Sequence, residues 1–232
     1  MTVLALEFSS AQRSVAVLDR GNGRALPMSQ KDEAPTRPGP PARMAEAIEA
    51  GAGGTNAFSL IEKVLAGAGL AREQIEVIAV GLGPGSYTGI RVALSMAQGW
   101  QLARGVKLLG ISSAECLAAQ AQAENIFGCV NVVMDAQRNE CYQASYAISA
   151  RGWQEIRPLR IVSPAEMQSQ ADSSEIWVGP EATRWLPRGK ILFPSAAILG
   201  RLALGRNDYV SGDKLAPIYL RETNFTKANA SR

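Results

Sequence analysis

The segment from Gly81 to Arg91 contains the residues best placed to bind a ligand. It reads Gly-Leu-Gly-Pro-Gly-Ser-Tyr-Thr-Gly-Ile-Arg and lies between a predicted buried strand and a predicted helix. Glycines allow close approach of the backbone, and free N–H groups at a helix start attract anions. A phosphate could bind here, or the loop could only shape the turn, with Ser86 or Thr88 capping the helix. It is neither a Walker A loop, because no Lys follows the last glycine, nor the dinucleotide-binding fingerprint.

The sequence contains no histidine, and this absence removes several kinds of chemistry. Histidine general bases, Ser–His and Cys–His dyads and histidine-ligated metal sites are all excluded. The cysteines are Cys116, Cys129 and Cys141. Their number is odd and no two stand in a C-x-x-C spacing, so neither a disulfide framework nor a thiolate metal site is expected. We therefore predict no catalytic residue and no metal-binding residue.

The composition predicts a folded protein that does not bind nucleic acid tightly by itself. Of the 232 residues, 47% are hydrophobic and 19% are charged, which suits a packed core in one large or two modest domains. The net charge is only +3, whereas tight phosphate binding needs a clustered basic face. The N-terminus is interpreted as a strand because no basic segment precedes its apolar residues, and no apolar run is long enough to cross a membrane. We expect a cytoplasmic protein.

The first half of the chain predicts three strands followed by alternating helices and strands. Apolar runs at 3–8, 14–19 and 24–28 are separated by turn residues, which favours an antiparallel meander. Prolines interrupt residues 29–54, so this stretch is interpreted as a loop or mobile insertion, with one possible short helix at 43–50. The remaining predicted elements are helix 57–68, strand 75–82, helix 89–104, strand 107–111 and helix 113–123.

The second half of the chain repeats the order of elements seen in the first half. Three strands come first, and helices and strands alternate after them. The predicted elements are strands 130–135, 140–148 and 154–162, helix 164–170, strands 175–178 and 190–193, and helix 196–205. No residue-level repeat accompanies this order, so a duplicated α/β fold is inferred from the order of elements alone.

The helix predicted at 90–104 carries apolar side chains on more than one face. The small residues are Ala93, Ala97 and Gly99, and the large ones are Leu94, Met96, Trp100 and Leu102. One face can cover a sheet, and the other must be buried by something else. The residues alone leave two possibilities open, a helix enclosed within the monomer or a helix that contacts a partner.

Six strings along nearly the whole chain resemble those of the TsaB (YeaZ) family. The longest, from Gly83 to Arg91, is similar to the family signature G-P-G-S-[FY]-T-G-[IVL]-R. The others fall in the family's order at 3–10, 97–99, 110–113, 135–142 and 217–221. This resemblance implies an α/β fold of two ribonuclease-H-like lobes of the actin-like ATPase type. The first lobe is expected at 1–112 and a shortened second lobe at 113–232, with a C-terminal segment that could pack back on the first lobe.

The resemblance also implies a function without catalysis. Members of this family pair with TsaD, which transfers threonylcarbamoyl to the tRNA adenosine beside the anticodon, and TsaE is the expected third partner. The tRNA is expected to be contacted only through the complex, no cofactor is expected, and ATP with Mg²⁺ is possible only at an interface within the complex. Without TsaD, the same surface is expected to form a homodimer. The expected interface residues are Ala93, Ala97, Trp100 and Gln101, and the turn that sets their helix is formed by Gly83, Gly85, Ser86, Thr88 and Gly89.

Departures from the family pattern bear on a nucleotide site. Actin-like ATPases use an Asp near metal and phosphate at the end of the first strand, where this chain has Glu7. Asp135 ends the first strand of the second half, where it could face a nucleotide or brace the turn that follows. Glu7, Ser86 and Asp135 are therefore the candidate residues of a vestigial nucleotide site. Relatives also carry an R-x-H-S-like stretch after the third strand, whereas residues 37–40 here read Arg-Pro-Gly-Pro.

Two other functions stay as alternatives. A small ATP-dependent kinase or ATPase of the same superfamily would bind nucleotide between the lobes. Glu7, the short second lobe and the lack of a second Gly-rich phosphate loop disfavour it. A hydrolase is suggested by the family's older glycoprotease name, which rests on a His-x-x-x-His zinc site, and the absence of histidine disfavours it.

Overall fold

The computed structural model describes residues 1–21, 41–51, 56–170 and 175–220. Within these ranges the chain forms two five-stranded sheets with helices packed on their faces, so the predicted α/β class is confirmed. None of the helices in these ranges is long and apolar enough to cross a membrane. Each sheet forms the centre of one lobe.

The first sheet is a three-stranded antiparallel meander extended by two parallel strands. Its strands are β1 (Thr2–Glu7), β2 (Gln12–Asp19), β3 (Arg43–Ala50), β4 (Val77–Gly81) and β5 (Lys107–Ile111). Their order across the sheet is β3-β2-β1-β4-β5. Strand β1 pairs antiparallel with β2 and parallel with β4, and every residue of β1 and β4 is buried. Their nearly continuous apolar sequences suit strands that are covered on both faces.

Residues 43–50 form strand β3, so the expectation of a short helix there is wrong. The strand pairs with β2 along its whole length, from Arg43 opposite Asp19 to Ala50 opposite Gln12. Its alanines and glutamates favour a helix in isolation, but pairing at the edge of a sheet satisfies the backbone and overrides that weak preference. The third strand predicted at 24–28 lies outside the described residues.

Helices α1 (Ala57–Ala68) and α2 (Tyr87–Arg104) cover one face of the first sheet. Helix α1 ends at Gly69, whose φ of 63° forms a left-handed cap, as the sequence predicts. Both helices bury apolar residues at three- and four-residue spacing, which places one stripe of each against the sheet. The buried residues include Leu60, Ile61, Val64 and Leu65 of α1 and Ile90, Ala93, Leu94 and Ala97 of α2.

The second lobe repeats this sheet plan with longer antiparallel strands but shorter helices and parallel strands. Its elements are α3 (Ser113–Ala123), β6 (Gly128–Asp135), β7 (Cys141–Ser149), β8 (Gly152–Val162), α4 (Pro164–Gln170), β9 (Ile176–Gly179), α5 (Ala182–Trp185) and β10 (Lys190–Ile191). The order across the sheet is β10-β9-β6-β7-β8. Helix α3 packs on one face of this sheet, and a cluster that includes Trp177 and Trp185 covers the other. The short helix α5 has no counterpart among the predicted elements.

Helix α6 (Ala196–Leu204) follows the second sheet along the chain but packs on the sheet of the first lobe. It packs on the face of the first sheet opposite α1 and α2, in a core shared with β1, β2, β4 and β5. Its N-terminus is fastened there, since the Ala196 N–H donates to Ser14 Oγ at 2.8 Å and the Ala197 N–H donates to Glu46 Oε1 at 3.0 Å. A helix from the C-terminal part of the chain therefore covers this face of the first sheet.

The chain after α6 crosses to the other face of the first lobe as an extended segment, here called the C-terminal strap (residues 210–219). The Val210 N–H donates to the Leu108 carbonyl at 2.9 Å, which adds a short antiparallel bridge at the edge of β5. A 3₁₀ turn follows at Gly212–Lys214, and the side chain of Leu215 is buried in the core beneath α2. The C-terminal strap thus lies along α2 rather than in the second lobe.

Candidate functional site

The loop between β4 and α2 is shaped by close packing against the end of β1. The Ser86 N–H donates to the Ser9 carbonyl at 2.6 Å, and Ser86 Oγ accepts from the Gly89 N–H at 3.3 Å, so Ser86 and not Thr88 caps the helix. A Cβ atom on Gly85 would lie 2.0 Å from the Ser9 carbonyl oxygen. One on Gly89 would lie equally close, 2.0 Å, to the carbonyl oxygen of Phe8. Any larger residue at either position would push α2 away from β1.

Gly83 fixes the loop from its other side. Its φ is +86°, its N–H donates to Ser113 Oγ at 3.2 Å, and its carbonyl accepts from the Ser113 N–H at 2.7 Å. The peptide bond from Gly83 to Pro84 is cis. Since Ser113 is the first residue of α3, this pair of hydrogen bonds ties the loop to the start of the second lobe.

Glu7 lies beneath this loop and is fully buried, with 0% of its surface exposed. Its Oε1 accepts from the Ser9 N–H and its Oε2 from Ser113 Oγ, both at 2.9 Å. Burial raises the pKa of the Glu7 carboxyl, and the hydrogen bonds from Ser9 and Ser113 oppose that rise. A Cβ atom at Gly81 would meet Glu7 Oε2 at 2.0 Å, so the glycine leaves the space that the carboxylate occupies.

A polar cleft of about 460 Å³ lies between the two lobes. Its lining includes Ser9, Ser10, Arg13, Ser86, Tyr87, Thr88, Asp135, Gln137 and Glu181. Of the three candidates for a vestigial nucleotide site, Ser86 and Asp135 therefore line this cleft. Glu7 does not line it, because its carboxylate is enclosed beneath the loop. The structure brings together two of the three residues and separates the third from solvent.

Asp135 braces the turn that follows β6. Its Oδ1 accepts from the Gln137 N–H at 2.8 Å, and its Oδ2 contacts Arg184 Nη1 at 3.2 Å. Its own N–H donates to Glu181 Oε2 at 3.3 Å, and burial raises the pKa of Glu181. The turn needs this bracing because Gln137, Arg138 and Asn139 all have φ between 54° and 62°, a conformation that such residues rarely adopt. All of these contacts are those of a residue that braces the turn.

A second concave surface, here called the α1–α2 groove, runs between the two helices on the outer face of the first lobe. It has a volume of about 540 Å³. Apolar side chains form its floor, and ion pairs stand at its rim, Arg72 with Glu62 and Arg104 with Glu73. The apolar and small residues that line it are Phe58, Ile61, Met96, Gly99, Trp100 and Ala103. Phe58 is 70% exposed, which is unusual for a large apolar side chain.

The predicted partner residues on α2 divide between the core and the surface. Ala93 and Ala97 are each 0% exposed and pack in the core of the first lobe, so the prediction that they contact a partner is corrected. Trp100 is half-buried and lines the α1–α2 groove. Gln101 is also half-buried, and its side chain bonds the Gly212 N–H at 2.7 Å and the Val106 carbonyl at 3.3 Å. The stripe of α2 that faces outward is therefore not the stripe of Ala93 and Ala97 that the sequence suggested.

Sequence reasoning missed several groove residues. Met96, Gly99 and Ala103 stand three or four residues apart on α2, and Phe58 on α1 faces them. The helical spacing of these α2 positions was a usable signal. The sequence alone could not show that these residues, rather than Ala93 and Ala97, face away from the sheet.

Comparisons with known proteins agree with the fold and the motifs. The family model described as "TsaD: tRNA N6-adenosine threonylcarbamoyltransferase" matches residues 54–225. TsaB of Escherichia coli, named a tRNA threonylcarbamoyladenosine biosynthesis protein, is 26% identical over 179 residues, which are 70% of this chain and 78% of that protein. TsaB of Haemophilus influenzae, with the same name, is 28% identical, over 95% of this chain and 94% of that protein.

Solved structures support the same assignment at the level of the fold. YeaZ from Pseudomonas aeruginosa superposes with a TM-score of 0.75 at 24% identity, over 94% of this chain and 99% of that one. Such a score over nearly the full length of both chains shows that the two-lobed architecture is shared. The chain belongs to the family that the TsaD model describes, and within it to the TsaB (YeaZ) proteins.

Proposed function

We propose that the chain is a non-catalytic partner subunit of TsaD in the transfer of threonylcarbamoyl to the tRNA adenosine beside the anticodon. The α1–α2 groove is the observation that carries this proposal. The relatives from E. coli and H. influenzae are both named as tRNA threonylcarbamoyladenosine biosynthesis proteins, which supports the pathway. TsaE would be the third partner, tRNA would be reached through the complex, and ATP with Mg²⁺ would bind only at an interface between subunits.

The α1–α2 groove has the composition of a protein-binding surface. Aromatic residues and Met are enriched at the centres of interfaces, where charged residues are depleted, and polar residues form the rim. Phe58, Met96 and Trp100 lie in the groove, whereas the ion pairs of Arg72 and Arg104 stand beside it. A partner helix that covered these side chains would remove apolar surface from water at about 25 cal/mol per Å². Without TsaD, a second copy of the chain would cover the same surface.

The carboxylates of the chain support a role without catalysis. Glu7 is enclosed and accepts two hydrogen bonds that hold the loop before α2. Asp135 is occupied by the Gln137 N–H and by Arg184. A general base or a metal ligand must be free to reach the reacting atoms. Each of these two carboxylates instead serves a turn, so the chemistry of the complex would belong to TsaD.

The first prediction concerns assembly with TsaD. Co-expressed with TsaD of the same organism, the chain is expected to elute as a heteromer of the two chains, and alone it is expected to elute as a homodimer. Size-exclusion chromatography with light scattering measures both masses. A chain that is monomeric alone and forms no complex with TsaD would contradict the proposal, because nothing would then cover the apolar groove.

The second prediction concerns the interlobe cleft. ATP with Mg²⁺ is expected to cause no saturable rise in the Tm of the isolated chain, because Glu7 cannot reach the cleft and Asp135 is already engaged. A ligand at a hundred times its Kd adds about 2.7 kcal/mol to the free energy of unfolding, so a true binder would be evident. A saturable shift that Asp135→Asn removes would favour the ATPase alternative instead.

A further inference from the structure

The C-terminal strap contacts α2 first at the end of the helix that forms the α1–α2 groove. Gln98 Nε2 donates to the Gly212 carbonyl, and the Gly212 N–H donates to Gln101 Oε1, both at 2.7 Å. These two glutamines flank Gly99 and Trp100, which line the groove. The strap therefore holds α2 from one side at the level where the groove opens on the other.

The middle of the strap reaches the strands beneath α2. Leu215 is 5% exposed and packs so close to β5 that a Cβ atom on Gly110 would lie 2.9 Å from its Cδ1. The Ile218 N–H donates to the Leu82 carbonyl at 2.9 Å, directly before the loop that begins at Gly83. In this way the strap runs from the C-terminal half of α2 back towards its N-terminus.

The far end of the strap is a side-chain stack at the mouth of the interlobe cleft. The rings of Tyr219 and Tyr87 stack with centroids 5.7 Å apart and planes inclined by 25°. Arg91 joins both rings, because its guanidinium lies 4.2 Å from the Tyr87 centroid and its Nε donates to Tyr219 Oη at 3.5 Å. Tyr87 is the first residue of α2 and lines the cleft. The strap thus ends on the residue where the helix and the cleft meet.

The strap is held less firmly than the helix that it holds. Of its ten residues only Gly212 and Leu215 are buried, and Tyr219 is 44% exposed. Segments with few buried apolar contacts and exposed hydrogen bonds open at lower free energy than the core of a protein. With most of its residues exposed, the strap is expected to open at a lower free energy than the sheet beneath it.

We propose that the C-terminal strap is a releasable clamp that seats α2 at both ends and so couples the mouth of the interlobe cleft to the α1–α2 groove. When the Tyr219 stack is intact, Tyr87 is fixed at the cleft and the strap holds Gln98 and Gln101 beside the groove. When the stack opens, the strap loosens along its length and α2 loses contacts at both sites. The coupling is a property of this chain alone and does not depend on which partner occupies the groove.

Hydrogen exchange measured by mass spectrometry on the full chain tests this clamp. Tyr219→Ala is expected to speed amide exchange about three- to tenfold both in residues 83–91 and in residues 95–104, as the loss of an aromatic pair would in a local opening equilibrium. Exchange in β1 and β4 should not change. Faster exchange in both regions supports the clamp, and exchange equal to wild type in either region overturns it.

Matched variants separate the stack from nearby effects. Tyr219→Phe keeps the ring and should retain wild-type exchange at 95–104, and Leu220→Ala truncates the exposed neighbour of Tyr219 and should do the same. If Tyr219→Ala also speeds exchange in β1 and β4, Gly212→Ala replaces it, because the atoms nearest to its added methyl, at 3.0–3.7 Å, belong to the side chains of Gln98 and Gln101. Gly212→Ala must then speed exchange at 83–91 as well, and failure to do so would overturn the coupling.

Discussion

Gly99→Glu is expected to abolish assembly with TsaD while it leaves the fold of the chain intact. Gly99 is exposed on α2 at the α1–α2 groove, and a Cβ atom there would have no neighbour within 4 Å outside its own helix. A side chain at this position therefore starts in open space and need not displace the core of the chain. In a complex its carboxylate would be buried against the partner, and an uncompensated buried charge costs about 3 kcal/mol or more, which is a loss in affinity of about a hundredfold or more.

Titration calorimetry against purified TsaD measures this loss, and light scattering shows whether the homodimer is lost with it. Gly152→Glu is the matched control, since Gly152 lies at the start of β8 in the second lobe and its Cβ position is also open. Gly99→Arg should weaken assembly as well, which separates burial of the site from a simple charge preference of the partner. Wild-type affinity in both Gly99 variants would rule out the α1–α2 groove as the TsaD contact.

The choice of Gly99 depends on the structure, because the sequence favoured a different stripe of the same helix. Ala97 is small, like Gly99, and both suit a close helix contact. Ala97 is fully buried against the sheet, so glutamate there would disrupt the core and remove binding through loss of fold. At Gly99, two residues further along the helix, substitution by glutamate changes only the surface. A helical period shows that stripes exist, but only the position of the sheet shows which stripe it covers.

The parts of the fold that the sequence predicts well have strong local signals. Strand β5 and helix α3 have the predicted bounds, because Gly105 ends the preceding helix and Ser112 caps the next one. Strand β3 was missed for the opposite reason. Its residues favour a helix locally, and what makes it a strand is the partner strand β2, which lies beyond a Pro-rich stretch of the chain. Non-local pairing of this kind is not encoded in a short window.

The position of the C-terminal helix α6 depends on non-local contacts in the same way. Helix α6 has an ordinary amphipathic sequence, and nothing in it specifies which of two sheets it covers. Its place on the first lobe follows from the hydrogen bonds of its N-terminus to Ser14 and Glu46 and from its packing on β1 and β2. Glu7 was likewise named as a candidate for a nucleotide site because it stands where actin-like ATPases have an Asp at the end of the first strand. In the structure the buried Glu7 accepts hydrogen bonds from Ser9, which is two residues away in the sequence, and from Ser113, which is 106 residues away. The second contact is not visible in the local sequence.

The enclosed carboxylate of Glu7 supports the second large prediction. Glu7→Ala is expected to lower the free energy of unfolding at neutral pH by about 2–4 kcal/mol, because two buried donors, the Ser9 N–H and the Ser113 hydroxyl, lose their acceptor and a small cavity remains. Glu7→Gln should cost much less. Its amide oxygen can accept from the Ser9 N–H and its NH₂ group can donate to Ser113 Oγ, so only the Ser113 hydroxyl proton loses its acceptor. Urea unfolding of both variants gives the two values, and equal losses would show that the hydrogen bonds contribute little.

The pH dependence of these variants tests the charge of Glu7 separately from its hydrogen bonds. Burial raises the pKa of Glu7 in the folded state above its ordinary value of 4.5, so above about pH 4.5 the folded chain keeps a proton that the unfolded chain has released. Stability from this group therefore falls as pH rises, until the pH passes the folded-state pKa. Glu7→Gln cannot ionise, so its stability relative to wild type should improve from pH 5 to pH 8, by at most about 1.4 kcal/mol per pH unit. Glu7→Ala should show the same trend at a lower level, since it also lacks the charge. A difference between Glu7→Gln and wild type that stays flat or reverses over this range would mean that Glu7 is ionised in the folded chain at no cost.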